Sequence, residues 1–120
     1  MRLVATLFIV LVAALHVYFL VLEMFLWRTP VGRRTFGTTP EFAESSAVLA
    51  ANQGLYNGFL AAGLLWALLW YGLNAGRPIL TFFLVCIVVA GIYGAATVSR
   101  RILFVQAVPA AIAAGLLWLS

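Results

Sequence analysis

Twenty consecutive residues, ILTFFLVCIVVAGIYGAATV at positions 79–98, contain no charged side chain. A stretch of this length and composition is typical of a membrane-crossing helix, because about 20 apolar residues span the hydrocarbon core of a bilayer. A helix is favoured over a strand because a single segment in lipid must pair its backbone groups internally. The stretch therefore predicts a transmembrane helix.

Three further apolar stretches extend this prediction to the whole chain. The second of them is preceded by Thr39-Pro40-Glu41, a helix-start signal that combines an N-cap, a proline at the first helical position and an acidic first turn. The first is too long for a signal peptide and is interpreted as a retained helix. We predict an all-α membrane protein, a single domain over 1–120 that forms an antiparallel four-helix bundle, with helices at about 3–27, 40–71, 79–98 and 102–119 and one long connector at 28–39.

Composition supports the same class. Of the 120 residues, 66% are hydrophobic and only 8% are charged, which is too few charges to cover a soluble domain of this size. The net charge of +4 comes from arginines in short connectors, and this placement indicates membrane topology rather than nucleic-acid binding. Cys86 is the only cysteine, so no intrachain disulfide is expected, and no metal-ligand spacing or cofactor motif is evident.

The arginines also predict an orientation. The first and third connectors hold five of them, and the opposite side of the bundle holds two. The positive-inside rule then places these two connectors in the cytoplasm and both termini outside it, in a multi-pass membrane protein. The five are Arg28, Arg33, Arg34, Arg100 and Arg101, and the two are Arg2 and Arg77.

Polar side chains inside the first two helices are the candidate site. His16 and Glu23 are two helical turns apart and share one face of the first helix. Four polar residues of the second helix fall within an arc of about 140°: Asn52, Gln53, Tyr56 and Asn57. Gly54 and Gly58 lie outside that arc and predict close packing of another backbone. We predict that the six polar side chains converge on one intramembrane ligand-binding site.

Each of these residues also has a structural interpretation. Asn and Gln amides hold membrane helices together through hydrogen bonds, and a buried His16 imidazole does the same. Glu23 lies near the predicted end of the first helix, where a carboxyl group reaches towards Arg28 or another connector arginine. The sequence alone leaves both interpretations open.

Three short motifs carry a resemblance to a known family: LEMFLW at 22–27, FGTTPEF at 36–42 and ANQGLYNGF at 51–59. Together they resemble a bacterial family of small four-helix membrane proteins, catalogued as a domain of unknown function, number thirteen hundred and four. The resemblance covers essentially the whole chain and implies an inner-membrane protein of the same architecture. The family has no established activity, so the resemblance implies none for this chain.

Three functions follow as hypotheses. The first is a site that binds a small or lipid-like molecule, opens towards the cytoplasmic leaflet and is built from the six polar residues. The second is a small permease or pore-lining subunit that acts as a homo-oligomer, and the third is a structural or partner-binding subunit. No catalytic signature is present, and His16 and Glu23 are the residues that acid–base chemistry would use.

Overall fold

The computed structural model of the chain describes residues 1–120 and is helical, without β-strands. This confirms the all-α prediction. The helices are α1 (Arg2–Met24), α2 (Pro30–Phe36), α3 (Pro40–Trp66), α4 (Gly72–Ala75), α5 (Arg77–Thr97) and α6 (Val108–Leu119). The chain also has two five-residue π-helical segments, Ala67–Tyr71 before α4 and Leu103–Ala107 before α6.

Three helical segments are long and apolar enough to cross a membrane by length and composition: Arg2–Met24, Pro40–Ala75 and Arg77–Thr97. The last apolar helix, Leu103–Leu119, is shorter and lies at the lower limit of about 17 residues for a span. The chain thus has the helices of a membrane protein, with three segments of clear spanning length.

The first connector differs from the sequence prediction. Helix α1 ends at Met24 rather than near 27, and the predicted loop 28–39 contains α2. The Thr29 hydroxyl accepts a hydrogen bond from the Gly32 N–H at 3.3 Å, and Gly37, with φ of 67°, ends the helix. The signal was present in the sequence, because Thr29-Pro30 repeats the start signal of Thr39-Pro40.

The π-helical segment before α6 lies next to a proline. Pro109 has no N–H, so the carbonyl of Val105 lacks its usual helical donor four residues later. The Val108 N–H instead reaches the Leu103 carbonyl, five residues back. In membrane helices, a local π-helical turn is one of the adjustments that pair the backbone groups freed by a proline.

The chain forms two compact units, and the larger consists of residues 1–15 and 60–120. Its buried core is made of Ala, Leu, Ile and Val side chains. Helix α5 approaches the segment Leu103–Ala107 closely, since a Cβ added at Gly91 would lie 2.7 Å from the Ala107 backbone nitrogen. The Trp118 indole N–H donates to the Thr81 hydroxyl at 3.0 Å, and the Arg77 guanidinium lies 5.2 Å from the Trp118 ring centroid.

The smaller unit, residues 16–59, consists of the end of α1, α2 and the first part of α3. Here α1 and α3 are antiparallel, because Leu20 lies against Gly58 while Trp27, seven residues later, bonds to Ser46. All six candidate site residues belong to this unit.

Candidate functional site

Two glycines of α3 allow close contact with α1 in the smaller unit. A Cβ added at Gly54 would lie 3.0 Å from the Glu23 Cβ and 3.2 Å from the Leu20 carbonyl oxygen, and one added at Gly58 would lie 2.6 Å from Leu20 Cδ1. These distances are shorter than ordinary side-chain contacts, so the surface that the glycine spacing predicted is present. The close approach places Glu23 directly against α3.

Glu23 is hydrogen-bonded to an amide of α3. Asn57 Nδ2 donates to Glu23 Oε1 at 2.5 Å, and Asn57 is only 6% exposed. Arg28, which the sequence offered as a partner for Glu23, instead forms a salt bridge with Glu44, with 3.2 Å between Nη1 and Oε1. The carboxyl group of Glu23 therefore has a neutral amide partner and no paired cation within the chain.

A half-open cavity of about 460 Å³ adjoins Glu23 at the end of α1. Its wall combines Glu23 with two aromatic residues, Arg28 and small or aliphatic residues of α3. Trp27 is fixed there, since its indole N–H donates to the Ser46 hydroxyl at 3.1 Å and its ring lies 4.9 Å from that of Phe36. The lining residues are Glu23, Met24, Phe25, Trp27, Arg28, Thr29, Ala47, Val48 and Ala51.

The other predicted site residues lie elsewhere. His16 is fully buried, its ring edge-on to Phe19 at a centroid distance of 5.3 Å, and it is about 10 Å from Glu23 along the helix axis. Asn52, Gln53 and Tyr56 are on the exposed side of α3. The structure thus brings Glu23 and Asn57 together and turns the other three side chains of the polar patch outward. Ligand binding by His16, Asn52, Gln53 and Tyr56 stays a prediction.

Helical geometry accounts for the opposite placement of Asn52 and Asn57. At 100° per residue Asn52 and Asn57 are about 140° apart, so a helix that buries one side chain tends to expose the other. The cavity residues that sequence reasoning did not select include Trp27 and Val48. Trp27 could have been selected from the sequence, because it lies four residues after Glu23, on the same stripe of the predicted first helix, and belongs to the first motif.

No group of three or more His, Cys, Asp or Glu side chains is placed to hold a metal ion in the structure. Glu23 has an amide as its polar neighbour, and the only His, His16, lies about two helical turns away.

Comparison with known proteins agrees with the motifs. Residues 10–118 match the model of a family described as a protein of unknown function, DUF1304. The chain belongs to this family. It is also 33% identical over 98 residues to the uncharacterised protein YpaA of Lactococcus lactis subsp. lactis (strain IL1403), covering 80% of this chain and 81% of that protein. No solved structure matches the chain.

Removal of the Arg28–Glu44 salt bridge is expected to have only a small effect on stability. Both side chains are mostly exposed, so solvent screens their attraction. We expect Glu44→Gln to change the free energy of unfolding by less than about 0.5 kcal/mol in chemical denaturation of the protein in maltoside micelles. A loss above about 1 kcal/mol would show that this ion pair holds the connector in place.

Proposed function

We propose that the protein is a multi-pass membrane protein that binds a small amphipathic amine in the cavity beside Glu23. The observation that carries the proposal is Glu23: it lies near the end of an apolar helix and lines the cavity, and its carboxyl group has only an amide as its polar partner. Ionisable side chains within membrane helices are costly and usually face a cavity in which a functional partner binds.

The hydrogen bond from Asn57 orients the carboxyl group. It engages Oε1 of Glu23, which leaves Oε2 as the acceptor for a ligand in the cavity. Because Asn57 is buried, its amide is held by the surrounding helices and fixes the carboxyl in one position. Asn57 thus acts as a positioning residue, and Glu23 as the residue that contacts the ligand.

The lining favours a positively charged headgroup. An ionised carboxylate attracts an ammonium, and the aromatic lining residues Trp27 and Phe25 favour a cation through cation–π interaction. The positive charge of Arg28 is offset by its salt bridge to Glu44, so it does not repel such a ligand strongly. Met24, Val48 and Ala51 form an apolar wall for the aliphatic part of the molecule.

The proposed membrane topology of the protein follows the distribution of its arginines. Four segments would cross a bacterial inner membrane, with Leu103–Leu119 the shortest at about 26 Å of helix. The first connector would then lie in the cytoplasm, and the cavity, which includes Arg28 and Thr29 of that connector, would open at the cytoplasmic leaflet.

Three probes of equal chain length test the ligand class. We expect dodecylamine to raise the thermal unfolding temperature of the protein in maltoside micelles, and dodecanol and dodecanoic acid to have little effect. In Glu23→Gln the apparent Kd for dodecylamine should rise about 10- to 100-fold, because a charged hydrogen bond contributes about 1.5–3 kcal/mol.

Glu41→Gln is the matched control, since Glu41 is exposed at the start of α3 and is not part of the cavity wall. It should bind dodecylamine as the wild type does. Equal stabilisation by all three probes, or unchanged amine binding in Glu23→Gln, would contradict the proposal.

A further inference from the structure

The outward surface of α3 in the smaller unit carries a regular pattern. Five exposed residues follow the alternating spacing of three and four that places side chains along one stripe of a helix. We call this stripe the outer α3 face, and it consists of Ser45, Val48, Asn52, Leu55 and Phe59. The glycines that contact α1 lie on the opposite side of the helix.

Asn52 lies at the centre of this face. It is 12 residues into α3, about 18 Å from Pro40 along the axis, and therefore well inside an apolar spanning segment. Its amide is exposed and takes no part in the hydrogen bonds that the chain makes with itself. An amide that faces acyl chains leaves two donors and an acceptor unpaired, which is costly in hydrocarbon.

We propose that a second copy of this chain covers the outer α3 face, and that the two Asn52 side chains hydrogen-bond to each other across a two-fold axis. Copies of a membrane protein insert in one orientation, so the axis lies along the membrane normal and the two α3 helices are parallel. In a parallel pair, each residue of the stripe meets its own counterpart in the partner copy.

The chemistry of the stripe suits such self-pairing. An amide is both donor and acceptor, so two copies of Asn52 complement each other, whereas two copies of a charged group would repel. One asparagine among apolar residues of a three–four stripe fixes the register of a parallel helix pair. Leu55 and Phe59 supply the apolar contacts on one side of Asn52, and Val48, at the edge of the cavity, supplies the contact on the other.

The acyl chains of a lipid are a poorer fit to this face. At the depth of Asn52 they have no polar group to offer, and a hydrogen-bonding headgroup remains at the interface. A second α3 helix, by contrast, presents both an amide and side chains of the same spacing at that depth. If a different membrane protein covered this face, the purified chain would stay monomeric in vesicles.

The monomer–dimer equilibrium in lipid vesicles tests the proposal. With donor- and acceptor-labelled full-length protein in vesicles of phosphatidylethanolamine and phosphatidylglycerol, energy transfer should increase as the protein-to-lipid ratio rises. Asn52→Leu should weaken dimerisation by roughly tenfold, the effect of losing one amide hydrogen bond between membrane helices. Gln53→Leu is the control; it lies beside the stripe and should leave the equilibrium within about twofold of wild type.

Disulfide cross-linking provides an independent measurement. In a Cys86→Ala background, Leu55→Cys should form a cross-linked dimer under mild oxidation, because equivalent positions of the stripe face each other. Ile92→Cys, exposed on α5, should not do so. A monomer at every lipid ratio, equal cross-linking from both positions, or an Asn52→Leu variant that dimerises like wild type would overturn the proposal.

Discussion

Gly91→Leu is expected to destabilise the larger unit by about 3 kcal/mol or more. A Cβ at this position would lie 2.7 Å from both the backbone nitrogen and the Cβ of Ala107, and 2.9 Å from the Ala107 Cα. Backbone atoms cannot rotate away as a flexible side chain can, so α5 and the segment Leu103–Ala107 must move apart. The shift should appear as a lower unfolding temperature in maltoside micelles and as aggregation during size-exclusion chromatography.

Gly115→Leu is the matched control for this prediction. Gly115 belongs to α6 in the same unit, and nothing lies within 4 Å of a Cβ added there. The same chemical change should therefore leave the free energy of unfolding unchanged or raise it by up to about 1 kcal/mol, because leucine has the higher helix propensity. If Gly91→Leu proved as stable as Gly115→Leu, the tight contact between α5 and Ala107 would not be required for folding.

Sequence patterns were sufficient for the class of the protein and for several helix ends. The uncharged run at 79–98 lies within α5, except for its last residue, and the Thr39-Pro40 signal marks the start of α3. Both depend on local chemistry: the length needed to cross lipid, and the fixed φ of proline at the first helical turn. Local signals of this kind do not depend on how helices pack.

The direction in which α3 turns its polar patch was harder to predict. In soluble proteins the apolar face of a helix is buried, but lipid is as apolar as a protein core, so hydrophobicity does not distinguish inside from outside. The buried side of α3 carries Ala43, Ala50 and Gly54, while Val48 and Phe59 are exposed. Small residues, rather than polar ones, were the better guide to the buried side.

The cavity depends on helix register, which local patterns do not contain. Its wall combines residues 23–29 with Ala47, Val48 and Ala51 of α3. A shift of one helical turn between α1 and α3 would oppose Glu23 to a residue other than Asn57. Sequence analysis identified Glu23 as a candidate, but the choice between an arginine and an amide partner required the register.

The hydrogen bond between Asn57 and Glu23 provides the final prediction, a double-mutant cycle. Asn57→Leu removes the amide that donates to Glu23 Oε1 and should lower the free energy of unfolding by about 2 kcal/mol, since it leaves a half-buried carboxyl oxygen unpaired. In Glu23→Leu/Asn57→Leu neither polar group remains, so part of the stability should return. The expected coupling energy is about 1.5 kcal/mol, measured by chemical denaturation in micelles.

A second cycle separates this hydrogen bond from a general effect of polar residues in α3. Asn52 is on the exposed side of the same helix, so Asn52→Leu and Glu23→Leu should be additive within about 0.5 kcal/mol. Additivity in the Asn57 cycle would mean that the carboxyl is not held by this amide. Coupling only in the Asn57 cycle would show that the carboxyl is held from the buried side of α3, as the hydrogen bond to Oε1 requires.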